Sequence, residues 1–201
     1  MDKLYTAWRF LVCGFIVTNS RENLENIPHL HRLQKRGPDH CNLVKFGNIQ
    51  IIHTLLSLTG DKTIQPVEED GLVCVFNGEI YNYKNFGNNL KSDLYSIFES
   101  YKANGDNFAK SLDGEFAIVL FDMKKNVLHL STDVFGIKPM YFAKNGKNFA
   151  IASYPSLIRD LGFSNPRRMA PNRTVKLSLD DMSQVSEMSV YDFDLKQHKD
   201  S

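Results

Sequence analysis

Four short segments interrupt strong apolar runs with glycine and polar residues, and chemistry would sit there. The first is Cys13-Gly14-Phe15, which places a thiol in an apolar run. A lone cysteine in such a run is ordinarily a small buried hydrophobe. The second is Arg36-Gly37-Pro38-Asp39-His40, which alone reads as a helix stop and a turn. The third is Phe76-Asn77-Gly78-Glu79-Ile80-Tyr81-Asn82, where Asn-Gly after a strand reads as a turn. The fourth runs from Ser131 through Asp133, Gly136 and Lys138 to Tyr141. Other groupings are weaker. His29, His31, His40 and Asp39 offer metal-ligand chemistry. However, His29 and His31 lie two apart on an expected helix and do not share a face, so no metal site is expected. Tyr81, Tyr83 and Phe86 read as packing rather than a base-stacking platform, and Arg167, Arg168 and Arg173 as a solvated loop.

The elements that must position these segments are mostly strands. Short β-branched or aromatic runs cover 10–17, 49–53, 72–76, 115–122, 127–131, 140–143, 148–152 and 175–179. Residues 123–126 and 144–147 read as hairpin turns, the second with an Asn-Gly signal. One helix is expected after a capping Ser92, with Leu94, Ile97, Phe98 and Tyr101 inward and a stop at Gly105. A second is expected from Asn26 to Arg36 with Pro28 in its first turn, and shorter helices at 106–112 and 155–161. Strands in hairpins covered by a few helices make an α+β protein with antiparallel sheets.

Composition narrows the function classes. The 201 residues carry 24 Lys plus Arg against 23 Asp plus Glu, a formal net charge of +1. A nucleic-acid partner held by bulk charge is not expected. The apolar run at 10–17 is too short to span a bilayer, so no membrane partner is expected either. Three cysteines without a CxxC pair suit a reducing, cytoplasmic setting.

Taken together, the four segments resemble the glutaminase domain of class II (type-2) glutamine amidotransferases, above all that of asparagine synthetases. The likeness is carried by Cys13-Gly14-Phe15, Arg36–Asp39, His53–Ser57, Asn77–Asn82, Ser92-Asp93, Gly114–Ala117 and Asp133–Tyr141. It implies an N-terminal-nucleophile (Ntn) hydrolase fold, a four-layer αββα sandwich with two antiparallel sheets. It also divides the chain into an extension or propeptide at 1–12, a glutamine amidotransferase domain at 13–179 and a tail at 180–201.

The resemblance further implies a mechanism without a cofactor or metal. Cys13 is the nucleophile, and its own α-amine is the general base. The Asn77 side chain and the Gly78 N–H form the oxyanion hole. Asp93, Glu79 and Arg36 are the substrate-binding residues, with Asp93 receiving the glutamine α-ammonium. The implied partners are glutamine or a related amide and a separate ATP-dependent synthetase that accepts the ammonia.

Several positions depart from the pattern. Cys13 follows twelve residues, so its nitrogen is a peptide amide. Leu55 stands where the family has an arginine for the substrate carboxylate, and Lys91 where it commonly has glycine. Thr132 and Tyr154 also replace family residues. Three readings follow: an ammonia-releasing glutaminase, a non-hydrolysing domain kept as a binding or regulatory partner, or an amidohydrolase acting on another amide.

Overall fold

A computed structural model describes residues 13–57 and 62–193. Its strands are β1 (Gly14–Thr18), β2 (His40–Phe46), β3 (Ile49–Leu55), β4 (Val67–Glu69), β5 (Leu72–Ile80), β6 (Gly114–Asp122), β7 (Val127–Thr132), β8 (Tyr141–Asn145), β9 (Asn148–Ala152), β10 (Arg167–Arg168), β11 (Arg173–Ser178) and β12 (Gln184–Met188). Its α-helices are α1 (Leu30–Arg36), α2 (Leu94–Asn104) and α3 (Pro155–Asp160). One sheet runs β10-β8-β9-β1-β3-β2 and the other β12-β11-β7-β6-β5-β4. Every pairing in both is antiparallel.

The central strands are apolar on both faces because both faces are covered. Alternation sorts them. Phe15, Val17, Ile49 and Ile51 of one sheet meet Val73, Val75, Val119 and Leu128 of the other in the middle of the sandwich. Ile16 and Ile52 point the opposite way and pack with Leu30, Leu33, Leu157 and Ile158 of α1 and α3. Cys74, Phe76, Ile118 and Leu120 pack outward on Leu94, Ile97, Phe98 and Tyr101 of α2. The layers are therefore helix, sheet, sheet, helix, as the resemblance implies.

Local differences from the sequence reading have physical causes. The expected 10–17 strand begins at Gly14, with Cys13 just outside it, and its first three positions lie outside the described residues. The helix expected from Asn26 is instead a 3₁₀ turn at Leu24–Asn26 followed by α1. Ile27, which precedes Pro28, is extended at ψ 134°, as a residue before proline is pushed to be. The helix expected at 106–112 is a 3₁₀ helix, Gly105–Ser111. Asp93, not Ser92, sits at the cap of α2.

Two further corrections concern strands. The turn expected at Asn77-Gly78 is absent, because β5 runs on to Ile80. Part of the expected 180–201 tail is ordered as β12, an edge strand on β11. Residues 194–201 lie outside the described residues. No helix among the described residues is long and apolar enough to cross a membrane.

Candidate active site

Strand alternation brings the candidate residues to the end of the space between the sheets. Cys13 precedes Phe15 by two positions at the mouth of β1, and Asn77 follows Val73 and Val75 in β5. A cavity of about 500 Å³ opens there. Its walls include Cys13, Leu55, Asn77, Gly78, Glu79, Lys91, Asp93 and Lys138. Five of the six residues expected at the site thus share one cavity.

Arg36 is the exception, for it does not line the cavity. It is 7 % exposed, and its Nε donates to the Cys13 carbonyl at 3.1 Å. Its Nη1 donates to the Tyr154 hydroxyl at 3.3 Å, with the guanidinium 5.1 Å from the Tyr154 ring centre. Its side chain is engaged with the Cys13 backbone and Tyr154 rather than open to the cavity. The rest of its motif is also scaffolding. A Cβ on Gly37 would lie 2.4 Å from the Thr54 carbonyl, so glycine lets the end of α1 close onto β3. The Asp39 N–H donates to the Leu55 carbonyl at 3.0 Å, and its carboxylate accepts the Ser57 N–H at 2.7 Å. The segment Leu55–Ser57 is held against Cys13 by these contacts.

The thiol is half-buried. It accepts the Leu56 N–H at 3.3 Å and lies 3.6 Å from the Leu56 carbonyl oxygen. Burial raises its pKa above the ordinary thiol value, while that N–H and the Arg36 and Lys138 cations pull it down. Asn77 is 1 % exposed, and its side-chain N–H₂ has no hydrogen-bond partner. An unmet buried donor facing a cavity is costly unless something fills it. Gly78 has φ +148°, and a Cβ there would be 2.0 Å from the Glu115 carbonyl oxygen. Only glycine lets β5 pass β6 at this point.

Asp93 stands at the start of α2 and accepts the Ile80 N–H at 2.9 Å. Burial raises its pKa, opposed by the N–H groups of Ile80 and Leu94, with Glu79 adding to the rise. Asp133 is 1 % exposed and accepts the N–H groups of Phe116, Phe135 and Ile137. That anchors the loop from which Lys138 reaches the cavity, where its Nζ meets Glu115 at 2.6 Å. Ser92 does not cap α2; its hydroxyl is buried without a partner in the cavity wall.

The family model for the glutamine amidotransferase domain matches residues 12–190. The chain belongs to this glutamine amidotransferase family. An Arabidopsis thaliana asparagine synthetase (glutamine-hydrolyzing) is 33 % identical over 147 residues, covering 65 % of this chain and 25 % of that protein. The glutamine phosphoribosylpyrophosphate amidotransferase of B. subtilis has the same fold at 18 % identity. Its TM-score is 0.67, over 89 % of this chain and 49 % of that one. A class-II glutamine aminotransferase domain protein of Silicibacter pomeroyi aligns at 9 % identity with a TM-score of 0.51, over 90 % of this chain and 99 % of that one. The chain spans about a fifth to a quarter of the length of the curated relatives it matches.

Some of this amidotransferase site was invisible in the sequence. The Leu56 N–H that holds the sulfur is a backbone group and leaves no residue signature. Gln65 also lines the cavity and accepts the Phe76 N–H at 2.7 Å, fixing β5 just before Asn77. No spacing pattern flags a lone glutamine. Two of the histidines considered for a metal are otherwise engaged: His29 meets Asp160 at 2.7 Å and His31 the Pro28 carbonyl at 3.0 Å.

Proposed function

We propose that this domain releases ammonia from the side-chain amide of glutamine, and that the ammonia serves an ATP-dependent synthetase. The carrying observation is that one cavity is lined both by a held thiol, Cys13, and by Asn77, whose side-chain donor is unpartnered. The Cys13 sulfur attacks the amide carbon. The C–N bond breaks, ammonia leaves, and a thioester remains. Water then attacks the thioester, giving glutamate and the free thiol. In both steps charge develops on the carbonyl oxygen, and the Asn77 N–H₂ and Gly78 N–H are the donors assigned to it. Asp93 and Glu79 supply the negative side of the cavity for an α-ammonium.

The general base in this proposal is the α-amine of Cys13, free once the Val12–Cys13 bond is cut. A second reading has one observation in its favour. With Val12 attached, that nitrogen is a peptide amide and cannot take a proton, which suits a non-hydrolysing, ligand-binding domain. The test is glutamate formation by the chain cut before Cys13, beside its Cys13→Ala variant. Turnover that disappears with the thiol supports the glutaminase. Glutamine binding without turnover in the cut chain, with its synthetase present, supports the second reading.

A further inference from the structure

The cavity poses a charge problem that its residues answer in one way. Its acidic side is Asp93 and Glu79, and Leu55, Leu56 and Leu90 form an apolar wall. An amino-acid amide brings both an ammonium and a carboxylate on one carbon, so a cation must stand close to the acid. Two cations line the cavity, Lys91 and Lys138. Lys138 is only 13 % exposed and is already neutralised by Glu115 at 2.6 Å. Arg36 is turned away onto the Cys13 carbonyl and Tyr154. Among the described residues lining the cavity, Lys91 is the cation without a carboxylate within 4 Å.

Resting on the glutaminase reading, we propose that Lys91 is the residue that binds the substrate α-carboxylate and so sets specificity for a free amino-acid amide. Lys91 and Asp93 are two residues apart, so their Cα atoms lie within about 7 Å. A single α-carbon can then place its carboxylate on one and its ammonium on the other. The ammonium side is fixed by Asp93, whose carboxylate is held by the Ile80 N–H at 2.9 Å. The amide end is fixed by Asn77, 1 % exposed with its donor unmet. Lys91 is exposed, so its ammonium stays hydrated until a substrate arrives, and its long stem can follow the ligand. The buried, partnerless Ser92 hydroxyl between the two charges is a further donor for the same carboxylate.

The experiment is calorimetric binding to the Cys13→Ala chain, or to Cys13→Ser if the alanine variant does not fold. The probes are L-glutamine and 4-aminobutanamide, which is glutamine without its α-carboxylate. Lys91→Met is expected to weaken glutamine tenfold or more and 4-aminobutanamide less than twofold. Lys91→Arg is expected to bind glutamine within threefold of the parent. Equal losses for both probes, or an unchanged glutamine affinity in Lys91→Met, overturn the role of Lys91 and leave the glutaminase reading standing. Binding of 4-aminobutanamide but not glutamine to the parent also overturns it, and marks a carboxylate-free amide as substrate. If neither probe binds and the wild-type chain cut before Cys13 turns over no glutamine, the glutaminase reading itself fails.

Discussion

Cutting the Val12–Cys13 bond is expected to switch on glutamine hydrolysis by at least about a hundredfold in kcat/KM. The size follows from the state of the thiol. Burial holds Cys13 above the ordinary thiol pKa despite the Leu56 N–H and the nearby cations. A thiol at the ordinary pKa of about 8.5 is only about 3 % thiolate at pH 7, and burial lowers that share further. A base that takes the thiol proton during attack is worth about 10²–10⁴-fold. An α-amine of pKa about 7.7–8.0 is half neutral near pH 8, where a thiol is still mostly protonated. The cut does not disturb the rest of the residue. Its carbonyl stays on Arg36 Nε at 3.1 Å and its sulfur on the Leu56 N–H at 3.3 Å. The assay is glutamate release from glutamine at pH 6 to 9, comparing the chain with Val12 attached, the chain beginning at Cys13, and the latter with Cys13→Ala. The cut chain should gain rate with a midpoint between pH 7 and 8. Equal rates with and without residues 1–12, or a rate indifferent to Cys13→Ala, refute the reasoning.

Asn77→Ala in the cut chain should lower kcat by about 10²–10³-fold with a much smaller change in KM, the signature of a donor used on the oxyanion; an equal rise in KM would place Asn77 on the ground state instead. Gly78→Ala should lose about 3 kcal/mol or more, because its Cβ would meet the Glu115 carbonyl oxygen at 2.0 Å in a conformation of φ +148°; thermal melting reads this, and an unchanged Tm would contradict it. Acid should unfold the domain through two buried histidines, His53 with its pKa pushed down to about 3 and His129 to about 4, both chiefly by burial. The unfolded chain binds their protons at pH 6.5 and the fold does not, so this stability is complete above pH 6.5 and falls by about 1.4 kcal/mol per histidine for each pH unit below it. Urea melts at pH 7.5 and 5.5 measure that fall. His129→Phe should remove its own share, since the ring packs edge-on to Tyr101 and Phe108 and its nitrogens make no hydrogen bond, the Asp106 carboxylate standing 3.7 Å from Nε2; an undiminished pH dependence in that variant would be evidence against it.

What the sequence showed of this site, and what it hid, divides along a physical line. Side-chain chemistry was legible: Cys13, Asn77, Gly78, Glu79 and Asp93 do share a cavity. The doubly apolar strands were legible too, because a covered sheet needs hydrophobic residues on both faces. β12 was not, because an edge strand half in solvent, Gln184–Met188, carries the polar composition of a tail. Asn77-Gly78 read as a turn because Gly after Asn usually reverses a chain. Here glycine serves close strand approach instead, a need that only the neighbouring Glu115 carbonyl reveals. Arg36 shows a related limit. A cation in a site motif suggests an anionic substrate, yet its buried guanidinium is occupied by the Cys13 carbonyl and Tyr154. A motif residue therefore reports that a position is constrained, not what constrains it. The same distinction makes Lys91 informative. It sits outside the recurring motifs and so reads as a departure, but its place beside Asp93 in a cavity whose other lysine is paired is a fact of three dimensions. With the neighbouring wall apolar at Leu55 and Leu56, a carboxylate entering this cavity has, among the described residues, one unpaired lining cation to meet, and the affinity for glutamine turns on whether Lys91 reaches it.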